Sequence, residues 1–87
     1  MDQTDYITLE TFNNGEEVHL IGDEIGLRRF AEHLLGLIER TKEGYFEHDH
    51  LMSPSWGGEF LSDEPQAIDS KVVNHLKVYC DKGDKMQ

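Results

Sequence analysis

The first quarter of the chain alternates between apolar and polar residues in two short runs. The first run, YITLETF, covers residues 6–12, and the second, EEVHLI, covers residues 16–21. Alternation with a period of two is typical of a β-strand that buries one face. The residues between the runs, Asn13–Gly15, read NNG and favour a tight turn, because Asn and Gly tolerate positive φ. This stretch therefore predicts an antiparallel hairpin.

The middle of the chain changes to the period of a helix. Asp23 is a suitable N-cap, and basic Arg40 and Lys42 fall where a last helical turn would place them against the helix dipole. Between them, apolar positions recur at steps of three and four, which is one face of an amphipathic helix. The stripe consists of Leu27, Phe30, Ala31, Leu34, Leu37, Ile38 and Thr41. We predict a helix over residues 24–42.

Alternation returns after the helix. Residues 45–52, YFEHDHLM, predict a third strand with His48 and His50 on one face and Asp49 and Leu51 on the other. A Ser/Pro/Gly loop follows at residues 53–58, a short edge strand could lie at 60–61, and residues 71–80, KVVNHLKVYC, predict the last strand.

The predicted fold class is α+β in the order β-β-α-β-β. We expect an antiparallel sheet with the one main helix packed on one face. Eighty-seven residues fit one small domain, residues 1–87, whose tail at 81–87 is expected to fray.

The net charge of the chain limits the kinds of molecule that it can be expected to bind. Eighteen acidic residues outnumber eight basic ones, for a formal net charge of -10. Such a field repels nucleic acid and anionic membranes and attracts basic proteins. No apolar run approaches the roughly 20 residues of a membrane span, and the start of the chain does not resemble a signal peptide. With Cys80 as its single cysteine, the chain is expected to be cytoplasmic.

The acidic excess is concentrated in one segment. Between Lys42 and Lys71 there is no Lys or Arg, while seven Asp or Glu residues and four aromatic residues fall there. Acidic residues can steer a basic partner toward a surface, and aromatic residues can anchor it after contact. Trp56 lies in the Ser/Pro/Gly loop of this segment and could be either such an anchor or a residue that covers the core.

The H-x-H sequence at His48 and His50 admits two interpretations. On a strand both side chains project to the same side and could reach one metal ion, but a third ligand is needed and the spacing selects none. Alternatively, the two histidines belong to a protein-binding surface. The chain contains no GxSxG, P-loop or HExxH motif, and Cys80 falls in an apolar strand, so we do not expect an enzyme and predict no cofactor.

Three short motifs resemble the Immunity protein 32 family. The stretch LIGDEIGLRRFAEHLLGLIE contains Gly22, Gly26 and Leu27 at the start of a leucine-rich helix, as G-x-x-x-G-L does in that family. The strand with His48, His50 and Leu51 is similar to the family's H-x-H-L strand, and VVNHLKVY is similar to its last apolar strand. The likeness covers roughly residues 16–80; the loop MSPSWGGEFLSDEPQ departs from the pattern in being longer and more acidic.

The resemblance implies a protein that binds a cognate bacterial toxin domain in the cytoplasm and protects the producing cell. A nuclease toxin would present a basic cleft, so we expect an acidic, aromatic-bearing surface to occupy it. The expected partner-binding residues are Glu47, His48, Asp49, His50, Trp56, Glu59, Phe60, Asp63 and Glu64. The alternatives are a small metal-binding sensor or enzyme that uses His48 and His50, and a regulatory adaptor unrelated to toxins.

Overall fold

The computed structural model describes residues 5–42 and 47–81, and within them the predicted α+β class and element order are confirmed. The elements are β1 (Ile7–Phe12), β2 (Glu17–Gly22), α1 (Glu24–Lys42), β3 (Glu47–Met52), β4 (Lys71–Val72) and β5 (His75–Cys80). Two parts of the predictions, residues 45–46 of the third strand and the tail at 82–87, lie outside the described residues.

The strands are divided between two antiparallel sheets rather than joined in the single sheet expected from the sequence. One sheet has the order β2-β1-β4, and the other consists of β3 and β5. The predicted last strand is split because the chain leaves one sheet and enters the other at Val73 and Asn74. The Val73 N–H donates to the Leu9 carbonyl at 2.7 Å, whereas the Asn74 carbonyl accepts from the Ser53 N–H at 3.0 Å.

The hairpin between β1 and β2 forms as the sequence predicts. Ile7 pairs with Gly22 and Phe12 pairs with Glu17, so the register is unbroken. A 3-10 turn at Asn13–Gly15 joins the strands. Asn14 has φ of 57° and Gly15 has φ of 90°, a left-handed geometry that Asn and Gly adopt at low cost.

The start of α1 is fixed by Asp23 and by a close approach of the helix to the chain before β1. The Asp23 carboxylate accepts from the Gly26 N–H at 2.8 Å, which caps the helix, and also from the Asp5 N–H at 2.7 Å. A Cβ at Gly26 would lie 1.9 Å from the Tyr6 carbonyl oxygen, and one at Gly22 would lie 2.8 Å from it. The G-x-x-x-G spacing thus lets the backbone of α1 contact the chain at Tyr6.

The hydrophobic core lies between α1 and the two sheets. Ile7 of β1, Leu51 of β3 and Leu61 of the following loop are at most 3% exposed. The partly buried side chains packed against them are Phe30, Phe60, Leu76 and Val78. Because each element contributes only one or two side chains, the core is small.

The second face of β1 is also buried, although the sequence predicted one buried face. Thr8 and Glu10 are fully buried, and the Gln66 N–H donates to the Glu10 carboxylate. The segment after β3 is therefore folded against this strand. Residues 60–61, where the sequence predicts a short edge strand, instead form a bend. The N–H groups of Phe60 and Leu61 both donate to the Met52 carbonyl at 3.1 Å.

Only one side of the predicted apolar stripe on α1 is covered. Leu37 and Thr41 are buried, whereas Leu27 and Ile38 of the stripe are 43% and 40% exposed. Leu35, which lies beside the stripe, is 62% exposed. The two sheets are small and contact the helix along a narrower strip than the stripe itself. As a result, an apolar face of α1 is left at the surface.

Candidate partner-binding site

The outer face of the β3–β5 sheet, which points away from the core, carries a cluster of rings. Strand alternation puts His48 and His50 of β3 on this face. The register pairs His48 with Tyr79 and Met52 with His75, so the β5 rings lie beside them. We call His48, His50, His75, Tyr79 and Trp56 the imidazole surface.

Ring contacts join the members of this surface into one array. His50 and His75 stack with centroids 5.1 Å apart, and the His50 Nδ1 lies 2.9 Å from the His75 Nε2. His48 contacts both His50 and Tyr79, at centroid distances of 4.9 and 5.4 Å. A neutral imidazole has one donor and one acceptor nitrogen, so the array can accept and donate hydrogen bonds to a partner.

Trp56 completes one end of the imidazole surface. It ends a 3-10 turn, Pro54–Trp56, that follows β3 and is closed by Gly57 in the left-handed conformation. Its ring lies 5.7 Å from that of His75, yet the residue is 58% exposed. A large aromatic side chain that is held by a neighbour but open to solvent has the character of an interface anchor.

The surroundings of His50 on this face lower its pKa. Partial loss of hydration lowers the pKa of His50 below its ordinary value of 6.5, and the positive charges of Lys77, His48 and His75 lower it further. Asp49, next along β3, acts in the opposite direction. His50 is therefore mainly neutral near pH 7 and can serve as a hydrogen-bond acceptor as well as a donor.

Asp49, expected to contact the partner, points to the opposite face and is engaged within the chain. Its carboxylate accepts from the Arg40 guanidinium at 2.9 Å and lies 3.8 Å from the His33 Nδ1. The side chain is 24% exposed. The ion pair between Asp49 of β3 and Arg40 of α1 therefore connects the helix to the strand.

Phe60 also lies on the helix side, packed against the core. Its ring makes edge contacts with Phe30 and His33, at centroid distances of 6.3 and 4.6 Å. The Arg29 guanidinium sits over the ring, 4.3 Å from its centroid. Phe60 therefore resembles a packing residue in its surroundings, unlike Trp56.

Of the remaining acidic candidates, all but Glu47 lie in the loop after Trp56. Asp63 is half-buried and accepts from the Ser55 hydroxyl at 2.8 Å, which brings it next to the Trp56 turn. Glu59 and Glu64 are exposed. Glu47 pairs through its backbone with Cys80, and its side chain is outside the described residues.

The structure adds two rings that the sequence analysis did not select, His75 and Tyr79. The signal was present in the alternation of HLKVYC, which puts His75, Lys77 and Tyr79 on one face of the last strand. What alternation could not show is that this face adjoins His48 and His50. Within residues 5–42 and 47–81, no three His, Cys, Asp or Glu side chains are arranged to hold a metal ion.

A comparison with known protein families identifies the class. The model of the family Immunity protein 32 matches residues 17–76, more than two thirds of the chain. The chain therefore belongs to the Immunity protein 32 family, which confirms the resemblance seen in its motifs. No curated protein and no solved structure matches the chain.

Family membership implies an immunity protein that binds a cognate toxin, and this is a non-enzymatic role. Both glycines of the family-like motif, Gly22 and Gly26, lie in the matched range, as do most residues of the imidazole surface. None of the helical structure in the described residues is long and apolar enough to cross a membrane.

Proposed function

We propose that this protein neutralises a cognate toxin domain in the cytoplasm of the producing cell by binding it through the imidazole surface and the acidic loop beside it. The observation that carries the proposal is the position of Trp56, which is 58% exposed while its ring lies against His75. A fixed, exposed Trp loses little conformational freedom on binding, and so contributes strongly to affinity.

The acidic loop supplies the second element of the proposed interface. Glu59, Asp63 and Glu64 follow Trp56 within eight residues, and no Lys or Arg lies between Lys42 and Lys71. A surface whose charges all have the same sign accelerates the association of an oppositely charged partner. We propose that the partner is a nuclease domain, because a cleft that binds phosphates is basic and an acidic surface can occupy it.

The candidates on the helix side have a narrower part in this proposal. Asp49 and Phe60 hold α1 against β3 and the loop, so they maintain the shape of the interface rather than contact the partner first. The division makes the proposal testable, since the two groups of residues should respond differently to substitution.

The direct experiment is co-expression with the toxin domain encoded by the adjacent gene. Cells that produce the toxin domain alone should stop growing, and cells that also produce this protein should grow. The purified proteins should form a stoichiometric complex, and the isolated toxin domain should degrade DNA or RNA only in the absence of this protein. Growth arrest without degradation of nucleic acid would contradict the nuclease assignment but not the immunity function.

The acidic loop can be tested separately by stopped-flow association. The triple variant Glu59→Gln, Asp63→Asn and Glu64→Gln removes three charges without changing side-chain size. At low salt its association rate constant should fall by about tenfold, while dissociation changes little. An unchanged association rate at low salt would show that these residues do not steer the partner.

A matched control comes from the same chain. Glu16 and Glu17 are exposed and lie at the hairpin end of β2, outside the proposed interface. Changing both to Gln also lowers the net negative charge but should leave association nearly unaffected. Because the control removes two charges and the triple variant three, equal slowing per charge removed would mean that net charge alone, and not the acidic loop, attracts the partner.

A further inference from the structure

The exposed side of α1 carries an apolar seam that the proposed toxin interface does not use. Its members are Leu27, Ala31, Leu34 and Ile38, which follow one another at steps of four, three and four residues; Leu34 is half-buried and the other three are exposed. This is the spacing with which one helix packs along another in a coiled-coil pair. Leu27 and Ile38 are 43% and 40% exposed, and Leu35 beside the seam is 62% exposed.

The seam continues onto β2. Val18 and Leu20 lie opposite Thr11 and Leu9 in the hairpin, so they point to the same side as buried Leu9. They nevertheless remain 57% and 41% exposed. Leu27 lies against Gly22 at the end of this row, so the helix seam and the strand row form one apolar surface.

Charged residues along the seam have opposite signs at its two ends. Glu24 begins α1 and Lys42 ends it; they are 18 residues apart, which is about five helical turns and places them on one line. Arg28 and Glu39 lie beside that line with the signs reversed. Each acid pairs with the base in its own helical turn, at 3.0 and 3.5 Å, but all four side chains are at least 67% exposed.

Antiparallel pairing of two such helices brings unlike charges together. Glu24 of one copy would lie near Lys42 of the other, and Arg28 near Glu39. The same two-fold axis would place Leu27 near Ile38, and small Ala31 near Leu34. In each of the four pairs, the position midway between the two residue numbers falls between 32 and 34. A single two-fold axis near residue 33 therefore brings together both the apolar residues and the unlike charges.

We propose that the apolar face of α1 is the interface of a homodimer, in which two copies pack their α1 helices antiparallel about a two-fold axis near residue 33. A second copy fits this face because the face is complementary to itself in both apolar spacing and charge. The imidazole surface lies on the outer face of the other sheet, so each copy would keep its own toxin-binding site.

Sedimentation equilibrium of the purified protein tests the dimer without any toxin. We expect a dimer at sub-millimolar concentration that dissociates on dilution, since the net charge of -10 on each copy opposes association. The variants Leu35→Glu and Ile38→Glu should raise the dimer dissociation constant by about tenfold or more. Ile68→Glu is the matched control, because Ile68 is 88% exposed and belongs to the loop before β4 rather than to α1. Circular dichroism should show that all three variants are folded.

Charge reversal tests the antiparallel arrangement. Glu24→Lys changes the net charge from -10 to -8, which on its own favours association, yet antiparallel pairing would place it near Lys42 of the other copy. We expect the dissociation constant to rise by about fivefold for Glu24→Lys and to return toward that of the wild type in the double variant Glu24→Lys, Lys42→Glu.

A wild-type protein that stays monomeric at sub-millimolar concentration would overturn the proposal, as would dimers that Ile38→Glu and Ile68→Glu weaken equally. Tighter association of Glu24→Lys would overturn the antiparallel arrangement. If the protein is monomeric and Ile38→Glu instead abolishes toxin binding, the face of α1 belongs to the toxin interface and the dimer proposal is wrong. Because none of the association measurements involves toxin, they can fail while the immunity function stands.

Discussion

The two faces of the β3–β5 sheet differ in what their side chains contact. On the inner face, Leu51 is 3% exposed, and Asp49 has an ion pair with Arg40 of α1. On the outer face, His50 and Trp56 are exposed and contact mainly other rings. The inner residues meet the rest of the fold, while the outer residues meet each other and the solvent.

This difference separates, on one short strand, the residues that pack in the fold from those that are open to a partner. Successive residues of β3 point to opposite sides, so a change at one position need not disturb the next. If the outer face is the toxin-binding site, inner substitutions should reduce stability, and outer substitutions should reduce affinity. The following predictions test that separation, in order of decreasing effect.

The largest effect is expected at Leu51. Leu51→Ala removes a buried side chain that lies against Ile7 and Leu61, and should lower the free energy of unfolding by about 2 to 4 kcal/mol. Urea denaturation followed by circular dichroism measures this. The outer-face control His50→Ala should change stability much less. A similar loss for both variants would show that the outer face is also part of the folding core.

Trp56→Ala should have the largest effect on binding. Loss of an exposed anchor at an interface costs about 2 kcal/mol, which raises the dissociation constant about 30-fold, mainly through faster dissociation. Surface plasmon resonance against the toxin domain gives both rate constants. Ile68→Ala, at an apolar position that is even more exposed than Trp56, serves as the control and should bind like the wild type. Unchanged dissociation of Trp56→Ala would remove Trp56 from the proposed interface.

Asp49→Asn should have a modest effect on stability. Its ion pair with Arg40 is 24% and 44% exposed at the two side chains, so the pair is worth no more than about 1 kcal/mol. The difference in unfolding free energy between the wild type and Asp49→Asn should be smaller at high salt than at low salt. Toxin affinity should change little, because Asp49 faces α1. A loss of affinity as large as that of Trp56→Ala would break the separation of the two faces.

The smallest effect is expected from pH. The pKa of His50 in the folded protein lies below its ordinary value of 6.5, so the unfolded chain takes up this proton at a higher pH than the folded chain. The stability that depends on neutral His50 is therefore present above pH 6.5 and is lost as the pH falls through the folded-state pKa.

NMR titration of the histidine rings measures this pKa. Lys77→Met removes one of the positive charges that lower it, so the pKa of His50 should rise toward its ordinary value. His50 should keep its low pKa in Lys71→Met, which removes a lysine from the other sheet. If Lys77→Met leaves the pKa of His50 unchanged, loss of hydration and the neighbouring histidines account for the shift without Lys77.

The sequence by itself determined the features that depend on near neighbours in the chain. The NNG turn and the Asp23 cap follow from the conformations and hydrogen bonds of three or four successive residues. Alternation likewise assigned His48 and His50 to one face and Asp49 and Leu51 to the other, because side chains on a strand have a period of two. The spacing of Gly22 and Gly26 likewise indicated the family from a short stretch of sequence, whereas only the structure shows that a side chain at either position would clash with the Tyr6 carbonyl.

Only the tertiary structure decided which of these local features meet. It split the last strand between two sheets at Asn74, packed Phe60 against Arg29, and brought His75 to His50 across 25 residues of chain. It also left one side of the α1 stripe exposed, although its apolar spacing is as regular as that of the buried side. Periodicity reports that a face is apolar, but what covers that face depends on the sizes and positions of all the other elements.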